Sequence, residues 1–101
     1  MKIDKEYILC AAIHYDDGKE YVHQPRNIDK GIVACGWKHH NCFAILSAIE
    51  ESEDKFDKSN ITQGFLTNRG NFVTRKEGAK IAFEAGQIEK EQKTMFSEDL
   101  Y

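Results

Sequence analysis

From Tyr7 to Tyr15 the chain is rich in apolar, β-branched and aromatic residues, with neither glycine nor proline to interrupt it. Asp16-Asp17-Gly18-Lys19 follows, and then Glu20-Tyr21-Val22-His23. An Asp-Gly pair between two β-rich runs predicts a tight hairpin, because glycine takes positive φ without a Cβ clash. Strands are therefore expected near 6–14 and 20–23. Pro25 ends the second, since proline has no amide hydrogen to give a ladder. Gly31-Ile32-Val33-Ala34-Cys35 is a third apolar run, closed by Gly36.

The period then changes. Cys42, Phe43, Ile45, Leu46 and Ile49 fall at helical spacing, which predicts a helix over 41–52 with Asn41 as its N-cap. Glutamates at its C-terminus oppose the macrodipole and should fray it. Residues 52–60 read as a solvated loop, with Phe56 as its one anchor to the body. Gly64-Phe65-Leu66-Thr67 and Asn71-Phe72-Val73 flank Asn68-Arg69-Gly70, which predicts a second tight hairpin. Thr74-Arg75-Lys76-Glu77 matches a capping box, and Gly86 is placed to close the helix that follows. The tail 87–101 is charged apart from Met95-Phe96 and Leu100-Tyr101. The expected architecture is α+β: N-terminal antiparallel strands, a helix, a β-hairpin, a C-terminal helix and a tail.

Composition narrows the class. A length of 101 residues, 41% apolar and 31% charged, fits one compact domain over the whole chain. The balance of 14 Lys+Arg against 17 Asp+Glu gives −3, which argues against nucleic-acid polymers or membrane surfaces held by bulk charge. The apolar run Ile8–Ile13 is far short of the roughly 20 residues a membrane span needs, and the N-terminus is too polar for a signal peptide. Cys10, Cys35 and Cys42 are odd in number and read as free thiols of a reducing cytoplasm.

Two strand–helix junctions carry the chemistry. The first is Cys35-Gly36-Trp37-Lys38-His39-His40-Asn41-Cys42. Its two cysteines and two histidines invite a zinc reading, but adjacent histidines in a turn rarely aim at one tetrahedral centre, so no metal is expected. Nothing orients a Cys–His nucleophile pair either. A helix N-terminus with Lys38, His39 and His40 before it suits an anion, and Trp37 or His39 could stack on a base. The plainer reading is that His40 or Asn41 caps the helix while Lys38 and His39 are solvated. Both stand on the residues alone.

The second junction, Gly64 to Arg75, repeats these ingredients with Phe65, Phe72, Arg69 and Arg75. Arg75 would be the first helical residue, where a cation opposes the dipole unless an anion is held there. Phe65 and Phe72 fit the core, and Asn68 and Asn71 fit the turn. The paired carboxylates Asp16-Asp17, Glu50-Glu51 and Glu53-Asp54 lie in turns or polar stretches. No P-loop, nucleophile elbow or H-E-x-x-H occurs, so no catalytic residue and no cofactor is expected.

At these residues a family likeness enters. The Gly36-Trp37-Lys38-His39-His40-Asn41-Cys42 turn, the block Gln63–Gln87 and the final Phe-Ser-Glu-Asp-Leu-Tyr resemble small proteins of tailed phages, the first-described Thoeris anti-defence family. The likeness runs from about Ile8 to Tyr101. It implies a non-enzymatic sponge in the host cytoplasm that sequesters cyclic ADP-ribose isomers made by TIR-domain immune enzymes. Some members also take up cyclic di- or trinucleotides of CBASS systems. It implies a homodimer or homohexamer with ligand between protomers; the apolar pairs Met95-Phe96 and Leu100-Tyr101 make the tail from about 88 a candidate arm for such an assembly. The positions implied as ligand-binding are Arg75, Phe65, Asn68, Phe72 and Arg69, with Trp37, Lys38, His39 and His40 from the first junction. Gly78 stands where the family usually has alanine, and this should weaken the helix by up to about 1 kcal/mol. A competing expectation is an inhibitor that docks a host protein through Glu50, Glu51, Glu53 and Asp54. A third is a small hydrolase or metal protein using Cys35, His39, His40 and Cys42.

Overall fold

Ala11, Ala12 and Ile13 are all fully buried, so the strand that carries them is covered on both faces. That strand, β1 (Ile8–Tyr15), is central in a four-stranded antiparallel sheet. The computed structural model describes residues 5–22, 24–50 and 60–100. Its other elements are β2 (Ile32–Gly36), α1 (His39–Glu50), β3 (Ile61–Thr67), β4 (Phe72–Thr74), α2 (Arg75–Glu84) and a single turn, α3 (Ser97–Leu100). The sheet order is β2-β1-β3-β4, with Ala12 opposite Cys35 on one side and Gly64 on the other. The α+β class expected from the sequence is the class observed.

The first hairpin is not the expected one. Residues 20–22 form no strand, and β1 pairs with β2 instead. Local side chains explain why. Asp16 Oδ1 accepts from the Gly18 amide and Asp17 Oδ1 from the Lys19 amide, both at 2.9 Å, which turns the chain before a ladder can start. The excursion then closes through the Gly31 amide, which donates to the Lys19 carbonyl at 2.8 Å. Gly31 has φ 98, and a Cβ there would lie 2.5 Å from the Tyr15 carbonyl oxygen. On its way the excursion finishes the edge of β4. The Asn27 side chain donates to the Phe72 carbonyl and accepts from the Phe72 amide at 2.8 Å, as a neighbouring strand would.

The second hairpin and its helix form as expected. Gly70, at φ 77, completes the turn between β3 and β4. Thr74 caps α2 through a reciprocal capping box with Glu77. The helix ends in a Schellman motif: Gln87 N donates to Ala82 O and Gly86 N to Phe83 O, with Gly86 at φ 78. Helix α1 begins two residues before the expected start. Asn41 is therefore not its N-cap but reaches back from the first turn, its Oδ1 accepting from the Lys38 amide at 3.0 Å.

Alternation assigns the two faces. Ala11, Ile13, Phe65, Val73 and Ala34 share one face with Cys42 and Leu46 of α1 and Ala79 and Ala82 of α2. Ile45, expected in the buried stripe of α1, is 42% exposed. Met95 is fully buried in the same core, and Ile88 and Ser97 are buried with it. The tail is thus packed onto its own chain through these three residues. Residues 51–59, including Glu51, Glu53, Asp54 and Phe56, lie outside the described residues, as does Tyr101.

Candidate functional site

The two junctions meet. His39, the first residue of α1, is buried, and its Nε2 lies 2.7 Å from the Gly64 carbonyl oxygen in β3. Its ring stands edge-on to Phe65, with centroids 5.2 Å apart. Burial holds its pKa below the ordinary 6.5, and the nearby Arg75 charge pushes the same way, although the Gly64 bond opposes them. A neutral imidazole that donates from Nε2 satisfies this geometry. His39 is therefore a strut between α1 and β3.

Arg75 opens α2 beside it, as the capping box required. One guanidinium nitrogen donates to Gln63 Oε1, and the guanidinium carbon sits 4.6 Å from the centre of the Phe96 ring. Its Nε is buried and finds no acceptor among the described residues. Lys38 approaches from the other side, with Nζ 3.2 Å from the Ser97 carbonyl oxygen and 5.2 Å from the centre of the Trp37 ring. The His39 amide reaches Ser97 Oγ at 3.4 Å, and the Met95 amide donates to the Arg75 carbonyl at 3.2 Å. Residues 95–97 thus bridge the first turns of both long helices. Trp37 is 67% exposed and Phe96 is 46% exposed, so two rings flank the cations at the surface.

The other expected ligand contacts lie elsewhere. Phe65 is fully buried between His39 and Gly78, and its ring is a core element. Phe72 is buried on the opposite face of the sheet, its ring 5.7 Å from that of His14. Asn68 ties the hairpin to the N-terminal segment, its Oδ1 accepting from the Tyr7 amide at 2.7 Å. Arg69 is exposed at the same turn, where its charge helps to lower the Glu6 pKa after the Thr67 and Asn71 hydrogen bonds. That turn begins four residues beyond Gln63, roughly 13 Å along β3. His40 is exposed. Of the nine expected contacts, Lys38, His39, Arg75 and Trp37 come together. Phe65 lies beneath them.

Gln63, Phe96 and Ser97 were missed as members of this cluster. The one signal in the sequence was Met95-Phe96, an apolar pair in an otherwise charged tail. The cysteine–histidine set does not converge: His39 is held by Gly64, His40 is exposed, and Cys42 Sγ donates to the Lys38 carbonyl at 3.4 Å. Among the described residues no three His, Cys, Asp or Glu side chains are placed to hold a metal ion. Among them, too, no helix is long and apolar enough to cross a membrane.

A small helix-on-sheet protein with paired cations and surface rings at one helix-start junction is the class these features define. The chain belongs to the phage T4 y16D protein family, whose model matches residues 7–101. No curated protein and no solved structure matches it.

Proposed function

We propose that this phage protein binds a small cyclic nucleotide signal of the host's immune system and releases it unchanged, lowering the free signal rather than destroying it. The supporting observation is the meeting of Lys38 and Arg75 at residues 95–97, with one Arg75 donor still unanswered. A cyclic ADP-ribose isomer carries two phosphates and a base. Phosphate oxygens suit a lysine and the planar fork of an arginine, and a base suits exposed rings such as Trp37 and Phe96. The likeness to the Thoeris anti-defence family points to the same ligand class. In this reading residues 96–97 move aside and a second copy of the chain closes the other wall, in a dimer or hexamer in the host cytoplasm. Water exclusion between copies would strengthen each phosphate contact.

Titration calorimetry against cyclic ADP-ribose isomers and cyclic di- and trinucleotides tests this, with heat release of bound ligand as the second step. The expected result is saturable binding by one class, recovery of intact ligand, and at least a tenfold loss of affinity for Arg75→Ala, equivalent to losing one charge-assisted hydrogen bond of about 1.5–3 kcal/mol. Silence across the panel, or recovery of a cleaved product, would reject the proposal.

A further inference from the structure

The sheet face away from the helices holds a second chemistry that the nucleotide site does not use. Cys10 of β1 and Cys35 of β2 project to this face, since Ala12 lies opposite Cys35 and Cys10 is two residues from Ala12 on the same side. They are diagonal neighbours across two paired strands. Both are free thiols, and both side chains are half-buried rather than sealed. Cys35 lines an open groove of about 350 Å³ together with Pro25, Arg26, Val33, Leu66 and Gly70. Cys10 is not part of that lining, but its own side chain is only partly covered, so a small solute can reach either sulfur.

We propose that Cys10 and Cys35 form a redox-active dithiol site that a peroxide closes to a reversible disulfide. The Cys35 thiol donates to the Cys10 sulfur and lowers the Cys10 pKa to about 7, while the same contact and burial push the Cys35 thiol up. The contact thus favours the thiolate on Cys10 and the protonated thiol on Cys35. Around it stand Leu66 opposite Cys10 on β3 and Arg26 in the groove that Cys35 lines, while the Cys42 thiol of α1, on the other face of the sheet, is felt only through its charge. Cys42 is fully buried, with its pKa raised to about 11, and is a poor nucleophile.

The steps balance. The Cys10 thiolate attacks one oxygen of hydrogen peroxide, the O–O bond breaks, and the departing hydroxide takes a proton to become water. This leaves a sulfenic acid on Cys10. The Cys35 sulfur attacks that sulfenic sulfur and loses its proton, and the hydroxyl leaves with it as a second water. Two thiols have lost two electrons and two protons, and one peroxide has become two waters. A diagonal pair sits further apart than the roughly 3.5–4.5 Å between Cβ atoms that a relaxed disulfide prefers. Closure must draw β1 and β2 together. The register shift between Ile8 and Cys10 and the end of β2 at Gly36 provide local give. A disulfide formed under such tension is readily reopened by thiol exchange, which suits a reducing compartment.

The three cysteines fall in three different tryptic peptides, divided by Lys19 or Lys30, and by Lys38. The test treats the folded full-length protein with hydrogen peroxide, blocks remaining thiols with N-ethylmaleimide, and maps peptides without reduction. The expected product links the Cys10 and Cys35 peptides, disappears on adding dithiothreitol, and leaves Cys42 reduced. In Cys35→Ser, dimedone should trap sulfenic acid on Cys10. Alkylation of Cys10 and Cys35 at the level of untreated protein, or a link to Cys42, overturns the proposal. A second measurement holds even where closure is slow. The iodoacetamide rate at Cys10 should be half-maximal near pH 7 and move up towards the ordinary thiol value near 9 in Cys35→Ser. Equal midpoints in the two proteins would overturn the pairing.

Discussion

Gly78 lies inside α2, where glycine costs up to about 1 kcal/mol relative to alanine. Propensity alone predicts that Gly78→Ala stabilises the protein. The structure reverses the sign. A Cβ at this position would lie 2.7 Å from Cδ2 and 3.4 Å from Cε2 of Phe65. The Phe65 ring is fully buried and has the edge of the His39 imidazole against it, so it cannot swing away freely. Overpacking of this kind costs about 1–3 kcal/mol, which exceeds the propensity gain. The net expectation is a loss of about 1–2 kcal/mol and a fall in Tm on the order of 5–10 °C. Urea denaturation followed by circular dichroism should show a lower midpoint with an unchanged slope. In a Phe65→Leu background the ring atoms that clash are gone, and the same substitution should become neutral or stabilising. A single variant Gly78→Ala at least as stable as the parent would refute the packing account, and so would additive effects in the double variant.

Three other expectations follow from single contacts. Because burial holds the His39 pKa below 6.5, the unfolded chain takes up a proton that the folded chain refuses. This contribution is complete above pH 6.5 and is lost as pH falls through the folded value, so His39→Gln should flatten the stability slope between about pH 7 and 5, and an unaltered slope would count against it. Met95→Ala should cost about 2–5 kcal/mol in urea melts, because Met95 is fully buried, whereas a free tail would show no change. Asn27→Ala removes both partners of the Phe72 main chain and should cost about 1–2 kcal/mol, with faster amide exchange at Phe72. Exchange confined to the 16–31 excursion would show that β4 needs no such partner.

The parts legible in the sequence were those decided by neighbours in the chain. The Thr74–Glu77 box, the Gly86 stop and the Asn68-Arg69-Gly70 turn each depend on a few adjacent residues, and each formed. The first hairpin misled because Asp16-Asp17-Gly18 carries a turn signal, while strand pairing is settled by what lies across the sheet. Val22 is 80% exposed, and Ile32–Gly36 offers β1 a longer apolar partner. The site was half legible for the same reason. Lys38 and Arg75 stood out as cations at helix starts. Only the return of the tail places Phe96 and Ser97 between them, and spacing cannot show a contact over 58 or 59 residues.

Two side-chain amides complete the sheet where no strand does. Asn27 serves Phe72, and Gln87 serves Ile8, with its Oε1 accepting from the Ile8 amide and its Nε2 donating to the Ile8 carbonyl, both at 2.8 Å. Each role needs one donor and one acceptor on a single flat group. Conversion to an acid would keep the acceptor and set a negative oxygen against a carbonyl. Slow deamidation in storage is therefore a chemical route to unpicking the outer strand, and Ile28, whose branched side chain crowds the ring closure at Asn27, slows that ageing at its first step.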